Sequence, residues 1–198
     1  MGVERAALTL SGLAARLVAA SSLLLPVVAA GQPKPETLAP CTACHGPGGT
    51  SQIPLTPSLA GQPKLFIENQ LVLIREGLRE IASMKEVMAG MTDETIIALA
   101  RHFAAQAPVR RAVAVNAAKA RLGADIAKGM LCGTCHLPDY AGQMQVPRLA
   151  GQDEAYLLLA MRQLRDNPGP GRDTIMAASL QGLNDADLSN LAHYLAGL

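Results

Sequence analysis

Apolar side chains recur along this chain at helical spacing, and they do so twice. Ile67, Leu71 and Ile74 would share one face of a helix, and Leu157, Met161 and Leu164 repeat that set at an offset of 90. Ile96, Leu99, Ala100 and Phe103 give a second apolar face, which Leu188, Leu191, Ala192 and Leu195 repeat at an offset of 92. Thr92-Asp93-Glu94 precedes one of these segments and Asn184-Asp185-Ala186-Asp187 the other, so each is predicted to begin as a capped helix with an acidic first turn. Between the helices, Pro57-Ser58-Leu59-Ala60-Gly61-Gln62 recurs as Pro147-Arg148-Leu149-Ala150-Gly151-Gln152. The pattern predicts two copies of one helical unit, with small insertions in loops accounting for the drift from 90 to 92.

The N-terminus follows a different pattern. Arg5 and Arg16 supply positive charge, the 14 residues from Leu17 to Ala30 are uncharged and mostly apolar, and Val28-Ala29-Ala30 offers small residues to a signal peptidase. That run falls short of the roughly 18 residues needed to span a bilayer, so a cleaved export signal is favoured over an anchor. The expected organisation is a signal peptide over 1–30, a first domain over 31–105, a linker over 106–116 with Pro108, Arg110 and Arg111, and a second domain over 117–198.

Composition changes this picture in two ways. The chain has 198 residues, 49% of them hydrophobic, yet no Trp, two Phe and three Tyr, so two small domains would lack the flat side chains that usually fill a core. Something besides side chains is expected to fill it. Net charge is +1, and loss of Arg5, Arg16 and Glu4 with the signal leaves 15 basic and 15 acidic residues; nothing suggests nucleic acid as a partner.

All four cysteines lie in two C-x-x-C-H motifs, Cys41-Thr42-Ala43-Cys44-His45 and Cys132-Gly133-Thr134-Cys135-His136. Two thiols at this spacing can add to the two vinyl groups of one haem, with the adjoining histidine held beneath the iron. Three other readings compete. A thioredoxin-like redox pair needs no following histidine and sits in a βαβ setting that this chain lacks. A four-thiolate zinc site leaves His45 and His136 unexplained, and an inter-motif disulfide framework is the third possibility, open to an exported protein. Two covalently bound haem c groups, each completing the core of a unit near the lower size limit for independent folding, are the expected cofactors. Apo chain, or Cys→Ala at Cys41 or Cys132, is then expected to fold poorly.

A histidine-ligated iron usually takes a sixth ligand. Met84 lies nine residues before Asp93 and Met176 nine before Asp185, and of the eight methionines these alone form an equivalent pair. Met88 and Met91 correspond to Leu180 and Leu183, and Met161 to Leu71, as core positions would. A methionine in a small apolar core can also be ordinary packing. His102 and His193 are alternative ligands, but their repeat partners are Tyr194 and Arg101, so each reads better as a partly exposed histidine on the last helix of its half.

Taken together, the paired C-x-x-C-H motifs, the paired P-x-L-A-G-Q segments and the helices that follow them resemble the cytochrome c4 family over most of residues 38–197. The resemblance implies an all-α fold of two tandem class I cytochrome c type domains, each wrapped around a covalent haem. It implies His45 with Met84 and His136 with Met176 as iron ligands, and the Pro57 and Pro147 carbonyls as acceptors for the proximal histidines. Gly77-Leu78-Arg79 would precede the first ligand methionine and Arg172 the second. It further implies a periplasmic electron carrier, not an enzyme, shuttling electrons from a cytochrome bc complex to a terminal oxidase or reductase, with loose membrane association through those partners. The alternative is a dihaem electron-transfer subunit of a dehydrogenase or peroxidase. One departure stands out: Leu137-Pro138-Asp139-Tyr140 replaces the usual Gly-rich turn, so the loop over the second haem, and its potential, should differ from the first.

Overall fold

The computed structural model describes residues 1–2, 33–108, 110, 114 and 116–198; the expected signal peptide, its cleavage site and much of the expected linker lie outside the described residues. The first half contains α1 (Pro35–His45), α2 (Lys64–Arg75), α3 (Ala82–Met88) and α4 (Asp93–Ala104). The second contains α5 (Ala117–Gly129), α6 (Cys132–His136), α7 (Glu154–Asp166), α8 (Thr174–Ser179) and α9 (Asp185–Ala196). Among the described residues there is no strand, only an isolated bridge between Gln143 and Val146. No described helix is long and apolar enough to cross a membrane.

The helix starts follow from local chemistry. Thr92 accepts the Thr95 N–H at the head of α4, and at α9 Asn184 and Asp187 exchange side chain to backbone bonds in a reciprocal box. Asp153 and Asp173 cap α7 and α8 as Thr92 caps α4, accepting the Tyr156 and Met176 N–H. The predicted apolar faces are the ones buried: Ile67, Leu99, Ala100 and Phe103 form the first core, and Leu157, Met161, Leu188, Leu191, Ala192 and Leu195 lie at the centre of the second.

Among the described residues the two cores are unequal. In the second half α5 runs across α9 before the attachment motif begins, and Gly123 lets the helices approach so closely that a Cβ there would lie 2.2 Å from the Asn190 carbonyl oxygen and 2.6 Å from Tyr194 Cβ. In the first half α1 starts at Pro35, six residues before Cys41, and no described helix takes the place of α5. Ile97 occupies the repeat position of Ser189, which Lys119 of α5 reaches, and it is 40% exposed.

The unusual turn over the second motif matches the first at its two ends but not between them, where Gly48 has φ of 60° and its counterpart Asp139 does not have positive φ. Gly46 and Gly49 have φ of 76° and 81°, and their counterparts Leu137 and Tyr140 have φ of 69° and 55°. The Gly49 carbonyl accepts from Leu59 and Ala60, while that of Tyr140 accepts from Leu149 and Ala150. Two non-glycine residues in the left-handed region carry strain. Packing offsets it, because the Tyr140 ring is buried edge-on against Tyr194 at 5.8 Å. At Gly49 a side chain would meet Phe103; the corresponding residue in the second half is the smaller Leu195.

Gly123→Ala tests the helix crossing. An exposed helical Gly→Ala change gains roughly 1 kcal/mol from propensity. Here the new methyl meets backbone, and a net loss of about 2 kcal/mol is expected in urea unfolding of the second half; a gain in stability would contradict the crossing.

Candidate haem sites

Each C-x-x-C-H motif is helical and ends at its histidine. His45 is the last residue of α1 and His136 the last of α6, and each is followed by a residue with positive φ, Gly46 or Leu137, that turns the chain out of the helix. In both halves the first cysteine is half-buried and the second exposed. Burial pushes the Cys41 and Cys132 thiols up from their ordinary value, the opposite of the activated thiolate that a disulfide-exchange pair requires.

The histidine rings are buried, and each is anchored through one nitrogen. His45 Nδ1 donates to the Pro57 carbonyl at 2.7 Å, and His136 Nδ1 donates to that of Pro147 at 2.9 Å. Burial depresses the basicity of both rings, and the carbonyl bond partly restores it. This leaves Nε2 of each ring as the nitrogen available to a metal. Nε2 of His136 is buried without a hydrogen-bond partner, which is costly for a polar atom unless it serves as a ligand. Two uncrosslinked thiols and an orphaned imidazole nitrogen on one helical turn fit a covalently attached haem.

Met84 and Met176 are the third residues of α3 and α8, and both are half-buried. Met176 packs against the second core. Met88 and Met161 are buried, Met91 packs on the first core, and Met144 is 65% exposed. His102 stacks edge-on against Phe103. His193 differs from the expected partly exposed residue: it is buried, with Nε2 accepting the Asn116 N–H and Nδ1 donating to Glu154, each at 3.0 Å. Both of its nitrogens are used, so the ring holds the start of α5 against α9.

Two sets of residues around the sites carry roles that the sequence reading missed. Arg75 reaches from the end of α2 to the Met91 carbonyl at 3.0 Å and to Asp93 at 2.7 Å, and Arg165 makes the matching bonds to Leu183 at 2.9 Å and Asp185 at 2.7 Å. Each arginine brackets the segment that contains α3 or α8 and its methionine. The second set comprises Gln62 and Gln152, which join the halves. Gln62 bonds both the N–H and the carbonyl of Arg148, and Gln152 does the same to Ser58, all at 2.8–3.0 Å. Both sets sit at equivalent positions of the repeat, the signal by which they could have been found.

The Cytochrome c family model matches residues 120–198. The chain is 33% identical to a cytochrome c4 of Pseudomonas aeruginosa, with 86% of this chain and 88% of that protein covered. A thiosulfate dehydrogenase electron acceptor of Thiomonas intermedia is 28% identical, covering 82% of this chain and 80% of that protein. Among solved structures, reduced cytochrome c4 of Pseudomonas stutzeri superposes with a TM-score of 0.75 at 28% identity, covering 82% of this chain and 95% of that one. Fold and motifs thus define an electron-transfer protein of the class I cytochrome c type that carries covalent haem c. The chain belongs to the cytochrome c4 family, dihaem electron carriers rather than enzymes.

The arginine brackets predict an acid sensitivity. Hydrogen bonds from Arg165 and then Arg162 hold the Asp185 carboxyl below the usual carboxylate range. A depressed folded value means that the stabilisation is present above the unfolded value of about 3.9 and is lost as pH falls through the folded value. Arg165→Gln should therefore lower the melting temperature at neutral pH, with a difference from wild type that shrinks well below about pH 4. The same difference at both pH values would show that the carboxylate contributes nothing.

Proposed function

We propose that haem is attached at Cys41 and Cys44 in the first half, 31–105, and at Cys132 and Cys135 in the second, 117–198. His45 and His136 would hold the irons through Nε2, with Met84 and Met176 as the further iron ligands. The protein shuttles single electrons in the periplasm, after export on the signal over 1–30, from a quinol-oxidising cytochrome bc complex to a terminal oxidase. The observation that carries this reading is duplication: the same donor set recurs on equivalent elements, with both histidines anchored on the carbonyl of an equivalent proline.

The bound haem supplies a one-electron couple, and the chain sets how it behaves. Each proline carbonyl fixes the imidazole plane and strengthens its donation, which favours the oxidised state. The thioethers of Met84 and Met176 would favour the reduced state relative to a second imidazole, raising the potential into a carrier's range, and would leave no iron site open to substrate. The likeness to a thiosulfate dehydrogenase electron acceptor favours a second donor class, a periplasmic dehydrogenase, with the protein still acting as carrier.

Purified protein added to respiring membranes should be reduced by quinol in a manner blocked by a bc-complex inhibitor, and then reoxidised by the terminal oxidase. Reduction by a dehydrogenase with no quinol-driven reduction would overturn the bc assignment in favour of the second donor. The ligand assignment has its own test. Met84→Ala or Met176→Ala should each convert one haem of the pair to a carbon monoxide-binding form, and a variant that binds none would remove that methionine from the ligand set.

A further inference from the structure

The two halves are joined by a reciprocal arrangement whose position relative to the histidines suggests more than adhesion. The Pro57 carbonyl and the Ser58 N–H belong to one peptide group. Its oxygen accepts from His45 Nδ1 at 2.7 Å, and its N–H donates to Gln152 Oε1 at 2.8 Å. In the other direction, the Pro147 carbonyl accepts from His136 Nδ1 at 2.9 Å, and the Arg148 N–H of that same peptide donates to Gln62 Oε1 at 3.0 Å. Each glutamine also donates through Nε2 to the carbonyl of the residue it grips, Ser58 or Arg148, at 2.9 Å, so its orientation is fixed. Gln62, Gln152 and Ser58 are all 5% exposed or less, so water competes little for these bonds.

We infer that Gln62 and Gln152 are positioning residues that act across the interface, each tuning the iron of the opposite half through the peptide that anchors its proximal histidine. A hydrogen bond to the N–H end of a peptide polarises its carbonyl and makes the oxygen a better acceptor. A better acceptor draws the Nδ1 proton more strongly, raises imidazole donation and favours the oxidised state. Gln152 thereby lowers the potential of the first haem, and Gln62 that of the second. The consequence for a two-electron store is that a shift at the interface, from partner docking or from reduction of one half, reaches the other iron by a path of two hydrogen bonds and one peptide. The inference rests on His45 and His136 being iron ligands.

The test uses the intact dihaem protein and the near-isosteric variants Gln152→Leu and Gln62→Leu. The two potentials are followed by proton NMR during a redox titration, and exchange of each histidine Nδ1–H is followed in reduced protein with labelled histidine. Gln152→Leu should raise the reduced-to-oxidised ratio of the first haem about threefold at fixed potential, roughly 28 mV on the 59 mV per decade of a one-electron couple. It should speed exchange at His45 while His136 is unchanged. Gln62→Leu should do the reverse. The variants control for each other, because both weaken one interface: equal shifts at both haems, or a larger shift at the variant's own haem, would overturn the inference. Oxidised wild type lacking hyperfine-shifted His45 and His136 ring signals would instead remove the ligand reading, and the relay with it; shifted signals that the variants leave unmoved would remove the relay alone.

Discussion

Each half of this protein is organised around one contact, a buried imidazole held by a backbone carbonyl. The ring must be turned so that Nε2 is free and Nδ1 satisfied, and the carbonyl that satisfies it has to arrive from outside the motif helix. The chain delivers it by leaving the helix through a left-handed residue, Gly46 or Leu137, and by folding the next segment back through bonds to the carbonyl of Gly49 or Tyr140. The P-x-L-A-G-Q segment then has three duties within six residues. Its proline carbonyl meets the histidine, its second residue is gripped by the other half, and its glutamine grips in return. That density of backbone contacts explains why this segment, rather than a helix, is the strongest match between the repeats.

The halves share this plan but not the means of filling their cores. The second has α5 packed through Gly123 onto α9 and a buried Tyr140–Tyr194 pair. Among the described residues, the first is built on a smaller cluster of buried side chains around Phe103. Covalent haem, with its large apolar surface, would complete both. The arginine brackets from α2 and α7 compensate locally in both, holding the methionine-bearing segments to the heads of α4 and α9 whatever lies between.

Much of this was legible in the residues. Helical spacing located α2, α4, α7 and α9, because their apolar faces are long and regular, and acidic caps marked the starts of α4 and α9. The paired motifs located the histidines, and the resemblance supplied the Pro57 and Pro147 carbonyls, which composition alone would not have singled out. What stayed hidden depends on tertiary approach. Leu137 and Tyr140 keep a turn that glycine builds in the first half, because a buried ring compensates for backbone strain that no pattern records. His193 looked half-exposed, since its partners Glu154 and Asn116 are distant in sequence. Gln62 and Gln152 were visible only as repeated letters, as their bonds cross between halves. Arg75 and Arg165 act on groups 16 to 20 positions further along the chain, so no local pattern marks them.

Electron carriage as proposed depends on closure of both irons by one histidine and one methionine. It is tested most directly on the purified wild-type protein, with haem counted as the pyridine haemochrome and near-infrared absorption of the oxidised form recorded before and after a carbon monoxide challenge of the reduced form. Two haems per chain, a methionine-to-iron band of matching intensity and no carbon monoxide uptake are the results this account predicts. High-spin iron or ready carbon monoxide binding at either haem would contradict it, and would point to an open site with chemistry of its own.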